Sequence, residues 1–242
     1  MRPVREAAIV GRTRLERGGG AMKSFDGFRS SRLRLGIVAV GSTLLFGIIA
    51  TAFWYEDLRY SLPTPRPPAL VEPPIGTTLP VGKWLAEAGF YAGKRPVLVH
   101  FFNPDCPCTR FNVEHLRKLH ARFGNRVFFV GAVQSHRRRS DLHVKVQQLE
   151  IGIPSFIDAG GRRASEAGVY STPQAVLFDA SGRIVYRGNY NTSRYCTDPR
   201  TEFVRMALER LVDASQAPSP PSTPAYGCEL PSADGPIASQ AN

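Results

Sequence analysis

Cys106-Pro107-Cys108 sets two thiols one residue apart in a chain that has only four cysteines. Thiolates at that spacing suit three roles: thiol–disulfide exchange, clamping of a soft metal ion, or membership of a structural disulfide set. Their position bears on the choice. The pair follows the apolar run 96–102 and the turn residues Asn103-Pro104-Asp105, and a stretch of helical periodicity comes next. The sulfurs are therefore expected where a helix begins, and the positive end of a helix dipole favours a thiolate there. Arg110 adds a cation nearby, whereas Asp105 opposes ionisation by like charge. A disulfide spanning one residue would close a small, strained ring, as suits a labile bond rather than a structural one.

The flanking pattern supplies elements to hold these residues. Residues 81–90 place Trp84, Leu85 and Ala88 at helical spacing, and 96–102 is a short buried strand. Leu116, Leu119 and Phe123 share one helical face that closes on Gly124. A second strand over 126–133, an exposed helix over 138–150, a short strand at 153–158 and a short helix at 161–169 come after it. Residues 173–179 and 183–190 form strands of a hairpin around Ala180-Ser181-Gly182-Arg183. Asp198-Pro199 then opens a helix whose stripe is Phe203, Met206, Ala207 and Leu211. Strands alternating with helices, then a hairpin and a last helix, spell an α/β domain with a mixed sheet.

Other features place this domain in the cell. Residues 35–55 carry no charge over 21 positions, enough to cross a hydrocarbon core as a helix, and end on Trp54-Tyr55 at the interface. Residues 1–34 hold nine Lys/Arg against three acidic residues, a surplus that keeps the N-terminus in the cytoplasm and sends the chain beyond Tyr55 across the membrane. Much of the net charge of +11 is thus a topology signal, and nucleic acid is not an expected partner. An uncleaved anchor is favoured over a signal peptide cut near Ala50-Thr51-Ala52. The organisation read from the sequence is a basic cytoplasmic segment (1–34), a transmembrane anchor (35–55), a Pro-rich stiff spacer (56–80), a domain (81–213) and a Pro/Ser-rich tail (214–242), disordered apart from an ordered-looking island, 225–230, around Cys228.

The strand, the close cysteines at the next helix start and the later "YSTPQAVLFDASGRIVYRG" resemble the thioredoxin fold. More narrowly, the chain resembles membrane-anchored thioredoxin-like thiol–disulfide proteins of the bacterial cell envelope, over roughly residues 81–213. The resemblance implies an α/β, thioredoxin-like mixed sheet flanked by helices and preceded by one transmembrane helix. It implies that Thr172-Pro173 is a cis-proline element beside the active cysteines, with Thr172 offering backbone contacts to substrate. The family's Cys-x-x-Cys is shortened here to Cys-Pro-Cys. His100 stands six residues before Cys106, where thioredoxins often carry a buried proton-moving acid; a packed strand histidine is the other reading.

The expected activity is a membrane-tethered periplasmic thiol–disulfide oxidoreductase. Cys106 attacks and Cys108 resolves, Thr172 and Pro173 position the substrate, and no cofactor is required. Its partners would be protein thiols and disulfides of the envelope, with the inner membrane reached through one helix. Cys196 and Cys228 are expected to form a structural disulfide fastening the tail; Cys228 reaching the active site as a resolving thiol is the alternative. A Cu(I)-binding metallochaperone using Cys106 and Cys108 is a second reading, weakened because copper-delivery members of the fold add a downstream histidine and the last one here is His143. A peroxidase does not fit, since Asn103 and Asp105 stand where a Thr or Ser would precede the reactive cysteine. A non-catalytic interaction module remains a third reading.

Overall fold

The computed structural model describes residues 25–213 and 219–231, with side chains from residue 31 onward. The basic residues before Phe25, and the tail positions 214–218 and 232–242, lie outside the described residues. The chain divides into two compact units, residues 1–52 and 53–242.

The described part of the first unit is helix α1 (Phe25–Phe53), while a π turn (Trp54–Leu58) and a helical turn (Arg59–Ser61) belong to the second. Leu35, Ile37, Leu44, Phe46 and Ile48 stay exposed along it. Residues 31–61 form a helix long and apolar enough to span a membrane, which covers the expected 35–55 span.

The second unit is built on a five-stranded mixed sheet. Its strands are β1 (Val97–Phe102), β2 (Phe128–Val133), β3 (Ser155–Ile157), β5 (Gln174–Phe178) and β6 (Ile184–Gly188), in the order β3-β2-β1-β5-β6. A separate two-residue strand, β4 (Ser171–Thr172), precedes β5. β1, β2 and β3 run parallel, while β5 is antiparallel to both β1 and β6. Helices α2 (Val81–Glu87), α3 (Pro107–Phe123), α4 (Arg139–Leu149), α5 (Arg162–Ala167) and α6 (Phe203–Val212) complete the unit.

The six side chains of β1 are all buried, so its continuous apolar run reflects a strand covered on both faces. Leu98 and Phe102 join the layer containing Leu116, Leu119 and Phe123 of α3 and Val204 and Leu208 of α6. Val97, Val99 and Phe101 join the opposite layer with Trp84 and Leu85 of α2 and Ala164 and Ala167 of α5. Each fully buried Leu or Phe contributes roughly 1.5–3 kcal/mol over an exposed one, which anchors α3 and with it the sulfurs at its start.

Two expectations are corrected. The Pro-rich segment is not a free spacer throughout: Gly76 N–H donates to the Ile184 carbonyl (2.8 Å), Ile184 N–H to Thr77 (2.8 Å), and Leu79 N–H to Gly182 (2.9 Å). It covers the exposed edge of β6, where an unpaired row of backbone groups would otherwise face solvent. The tail holds the ordered island expected around Cys228. Ala225, Tyr226 and Leu230 are buried, and Cys228–Glu229 forms strand β7, antiparallel to β4. Asp198 caps a 3₁₀ turn (Pro199–Thr201) through Arg200 N–H, and α6 begins only after it, at Phe203.

Candidate active site

Cys106 is the N-cap residue of α3 and Pro107 its first helical residue, a placement that costs the helix no hydrogen bond because the first N–H groups lack partners anyway. The turn before it is tied closely. Cys106 N–H donates to the Asn103 carbonyl (3.1 Å), Asp105 N–H to Asn103 Oδ1 (2.9 Å), and Thr109 Oγ1 to the Asn103 carbonyl (2.8 Å). Asn103 N–H in turn donates to Thr172 Oγ1 (3.0 Å). The Thr172–Pro173 peptide is cis, and the Thr172 carbonyl oxygen lies 3.7 Å from Cys106 Sγ. The structure thus brings Cys106 and the Thr172-Pro173 segment together from two distant stretches of sequence.

The pairing of sulfurs departs from the leading expectation and agrees with the alternative in which Cys228 reaches the active site. Cys106 is bonded to Cys228, across 122 residues of sequence with Cα atoms 6.0 Å apart. The Cys196–Cys228 bond is therefore absent, and Cys106–Cys108 is not the oxidised pair. The cause is strand β7: Cys228 stands directly opposite Thr172 in the β4–β7 ladder, with Ser171 opposite Glu229. Hydrogen bonds fix this register on both sides. Ser171 Oγ donates to the Tyr226 carbonyl (2.7 Å), Leu230 N–H to Tyr170 (2.9 Å), Thr64 N–H to Ala225 (2.7 Å), and Asn189 Nδ2 to Pro224 (2.8 Å). Gly227 allows the close approach. Its φ is +111°, and a Cβ there would sit 2.3 Å from the Thr172 carbonyl oxygen.

Cys108 and Cys196 carry free thiols. Cys108 is fully buried, which raises its thiol above the ordinary value, while the charge of Arg194 works in the opposite direction. Cys196 accepts from Asn112 Nδ2 at 3.4 Å, and burial pushes its thiol up to about 11.

The charges around the motif are also rearranged. Arg137, the first arginine of the run 137–139, reaches Asp105, with Nη2–Oδ1 at 2.7 Å and Nε–Oδ2 at 2.8 Å. That contact lowers the Asp105 carboxyl below its usual range and offsets the charge expected to oppose a thiolate. Arg110 is exposed; the cation acting on Cys108 is Arg194, for which the sequence gives no signal.

His100 lies in the interior, hydrogen-bonded through Nδ1 to Tyr190 Oη (2.8 Å) and stacked on Phe102. Burial pushes its pKa down to about 3, so it is neutral at physiological pH. These contacts are those of a packed strand histidine.

With Cys106 held in the disulfide, Cys106 and Cys108 do not form a free thiolate pair in this state. Among the described residues no group of three or more His, Cys, Asp or Glu side chains is arranged to hold a metal ion.

Residues 84–229 match the model of a family described as a domain of unknown function, DUF6436. The chain belongs to the DUF6436 family. Curated proteins yield no match to it. Among solved structures, an uncharacterised conserved protein from Geobacillus kaustophilus aligns over 71% of this chain and 92% of its own, at 22% identity and a TM-score of 0.51. A hypothetical protein from Sinorhizobium meliloti aligns over 59% and 82%, at 21% identity and a TM-score of 0.50. A secreted disulfide oxidoreductase from Mycobacterium tuberculosis aligns over 42% and 74%, at 22% identity and a TM-score of 0.36. This DUF6436 domain has the thioredoxin-like fold: a mixed sheet in the order β3-β2-β1-β5-β6, flanked by helices, with a cis-proline before the central antiparallel strand.

Proposed function

We propose that this DUF6436 protein is a membrane-tethered thiol–disulfide oxidoreductase of the periplasm, working through Cys106 and Cys228. One observation carries the reading: the Cys106–Cys228 bond lies at the N-terminus of α3, against the cis-proline segment.

The two sulfurs are unequal. Cys106 is only 2% exposed, whereas Cys228 is half-buried on the tail strand. An incoming thiolate therefore attacks Cys228. A bond forms between substrate sulfur and Cys228 Sγ, the Cys106–Cys228 bond breaks, and its electron pair leaves with Cys106. The helix N-terminus stabilises the departing thiolate, and a better-stabilised leaving thiolate departs faster. A second substrate thiol then displaces Cys228, so the substrate closes its disulfide as the protein gains two thiols. In the reducing direction the same steps run backwards: the Cys228 thiolate attacks a substrate disulfide and the Cys106 thiolate resolves the mixed disulfide. Cys228 thus takes the attacking role first expected of Cys106, and Cys106 the resolving role first expected of Cys108.

The full chain in detergent should catalyse dithiol oxidation or disulfide reduction in a model peptide. Cys106→Ser should abolish turnover and Cys196→Ser should leave it intact; a wild-type protein without turnover sinks the reading. The location rests on the basic surplus before the apolar helix. A reporter active only outside the cytoplasm should work when fused after residue 213 and stay silent when fused after Arg34.

A further inference from the structure

Arg194 lies in the loop before α6 and is only 6% exposed. Its Cζ is 5.0 Å from the ring centroid of Phe111, 5.4 Å from that of Tyr60 and 4.9 Å from that of Tyr195. Nη2 donates to Asp57 Oδ1 (2.7 Å) and to Tyr195 Oη (2.9 Å), and Tyr195 Oη donates on to Asp57 (2.6 Å). The other two nitrogens, Nε and Nη1, are buried and have no hydrogen-bond acceptor. A buried guanidinium held by aromatic faces and one carboxylate, with two donors unmet, is costly unless some state of the protein supplies an acceptor.

The acceptor within its field is Cys108. Arg194 is the main influence drawing that thiol toward ionisation against burial, and Asp57 acts the other way. The other titratable groups coupled to this cluster are Cys196 and Tyr226, both held neutral by burial. We propose that Arg194 stabilises the Cys108 thiolate and so equips Cys108 to open the Cys106–Cys228 disulfide from its buried side. The inference rests on the proposed exchange through Cys106 and Cys228. In the step, Cys108 Sγ⁻ attacks Cys106 Sγ and a Cys106–Cys108 bond forms. The Cys106–Cys228 bond breaks, its electron pair leaves with Cys228, and that sulfur takes a proton from solvent. One disulfide replaces another, so no outside oxidant enters. Cys228 is released with its strand.

The test reads ionisation rather than turnover. In full-length protein with Cys106, Cys196 and Cys228 changed to Ser, the rate of Cys108 alkylation by iodoacetamide is followed against pH by peptide mass. Arg194→Gln should move the midpoint up by about one pH unit, a roughly tenfold slower reaction near neutrality. Arg194→Lys should restore most of the shift, and Asp57→Asn should move the midpoint down. Superimposable profiles for wild type and Arg194→Gln overturn the proposal. If Arg194→Gln does not fold, superimposable profiles for wild type, Arg194→Lys and Asp57→Asn overturn it equally. A moved midpoint in a protein without exchange activity sinks the oxidoreductase reading and leaves the Arg194 assignment standing; exchange with an unmoved midpoint does the reverse.

Discussion

Cys228 stands directly opposite Thr172, the residue before the cis-proline, and from there its sulfur is bonded to Cys106. The tail strand therefore fills the side of the cis-proline segment on which an extended peptide could pair. Backbone pairing aligns the two sulfurs, so changes that disturb the β4–β7 ladder should disturb the redox pair without touching a cysteine.

Gly227 offers the most local way to do this. In Gly227→Ala the new Cβ would press on the Thr172 carbonyl, at a φ that L residues adopt at a cost of roughly 1–2 kcal/mol. The Cys106–Cys228 bond should then be harder to form by about tenfold in equilibrium with a glutathione buffer, since 1.4 kcal/mol is a factor of ten. Mass-tagged thiol counting at fixed glutathione ratios measures it; an unchanged equilibrium would mean the ladder does not govern the bond.

Asp105 and Arg137 should act in opposite senses. Asp105→Asn removes an anion adjacent to Cys106, stabilises its thiolate and makes the pair more oxidising, by on the order of 10 mV for a partly exposed charge. Arg137→Gln leaves that anion unpaired and should make the pair more reducing. Titration of each variant against glutathione decides, and shifts of the same sign in both would contradict this electrostatic account.

His100 predicts an acid sensitivity. The unfolded chain takes up its proton near pH 6.5, whereas the folded protein resists until about 3. Folding stability should accordingly fall as pH drops through that window, by up to about 1.4 kcal/mol per pH unit from this site. His115 is shifted the same way by burial and adds to the slope. His100→Gln keeps a group able to bond Tyr190 but removes the titration. Between pH 7 and pH 5 it should lose about 2 kcal/mol less than wild type in urea unfolding. Equal losses would show that His100 does not titrate with folding.

Much of this architecture is legible in the sequence because local signals carry it. β1 is a continuous apolar run, α3 has a 3.6-residue stripe, and Thr172-Pro173 precedes a strand and hairpin in clear register. The site is legible only in half. The partner of Cys106 depends on a two-residue ladder, too short to leave a periodic pattern, and the bond that it sets spans 122 residues of sequence. Arg194 sits in "NTSRYC", which reads as an exposed turn, and only the folded loop closes Phe111, Tyr60 and Tyr195 around it. Likewise the arginine run at 137–139 gives no hint that Arg137 turns back onto Asp105. Residues 76–79 are read as spacer because backbone pairing with a strand edge leaves no side-chain signature.

The central claim is that Cys106 exchanges disulfides with Cys228. The most direct measurement is mass-spectrometric mapping of disulfide-linked peptides from the full chain, purified under non-reducing conditions with free thiols blocked at lysis. The account predicts a single linked pair joining the Cys106 peptide to the Cys228 peptide, with Cys108 and Cys196 recovered as blocked thiols, and the same map in Cys196→Ser. A Cys196–Cys228 link in place of the Cys106–Cys228 pair would contradict it.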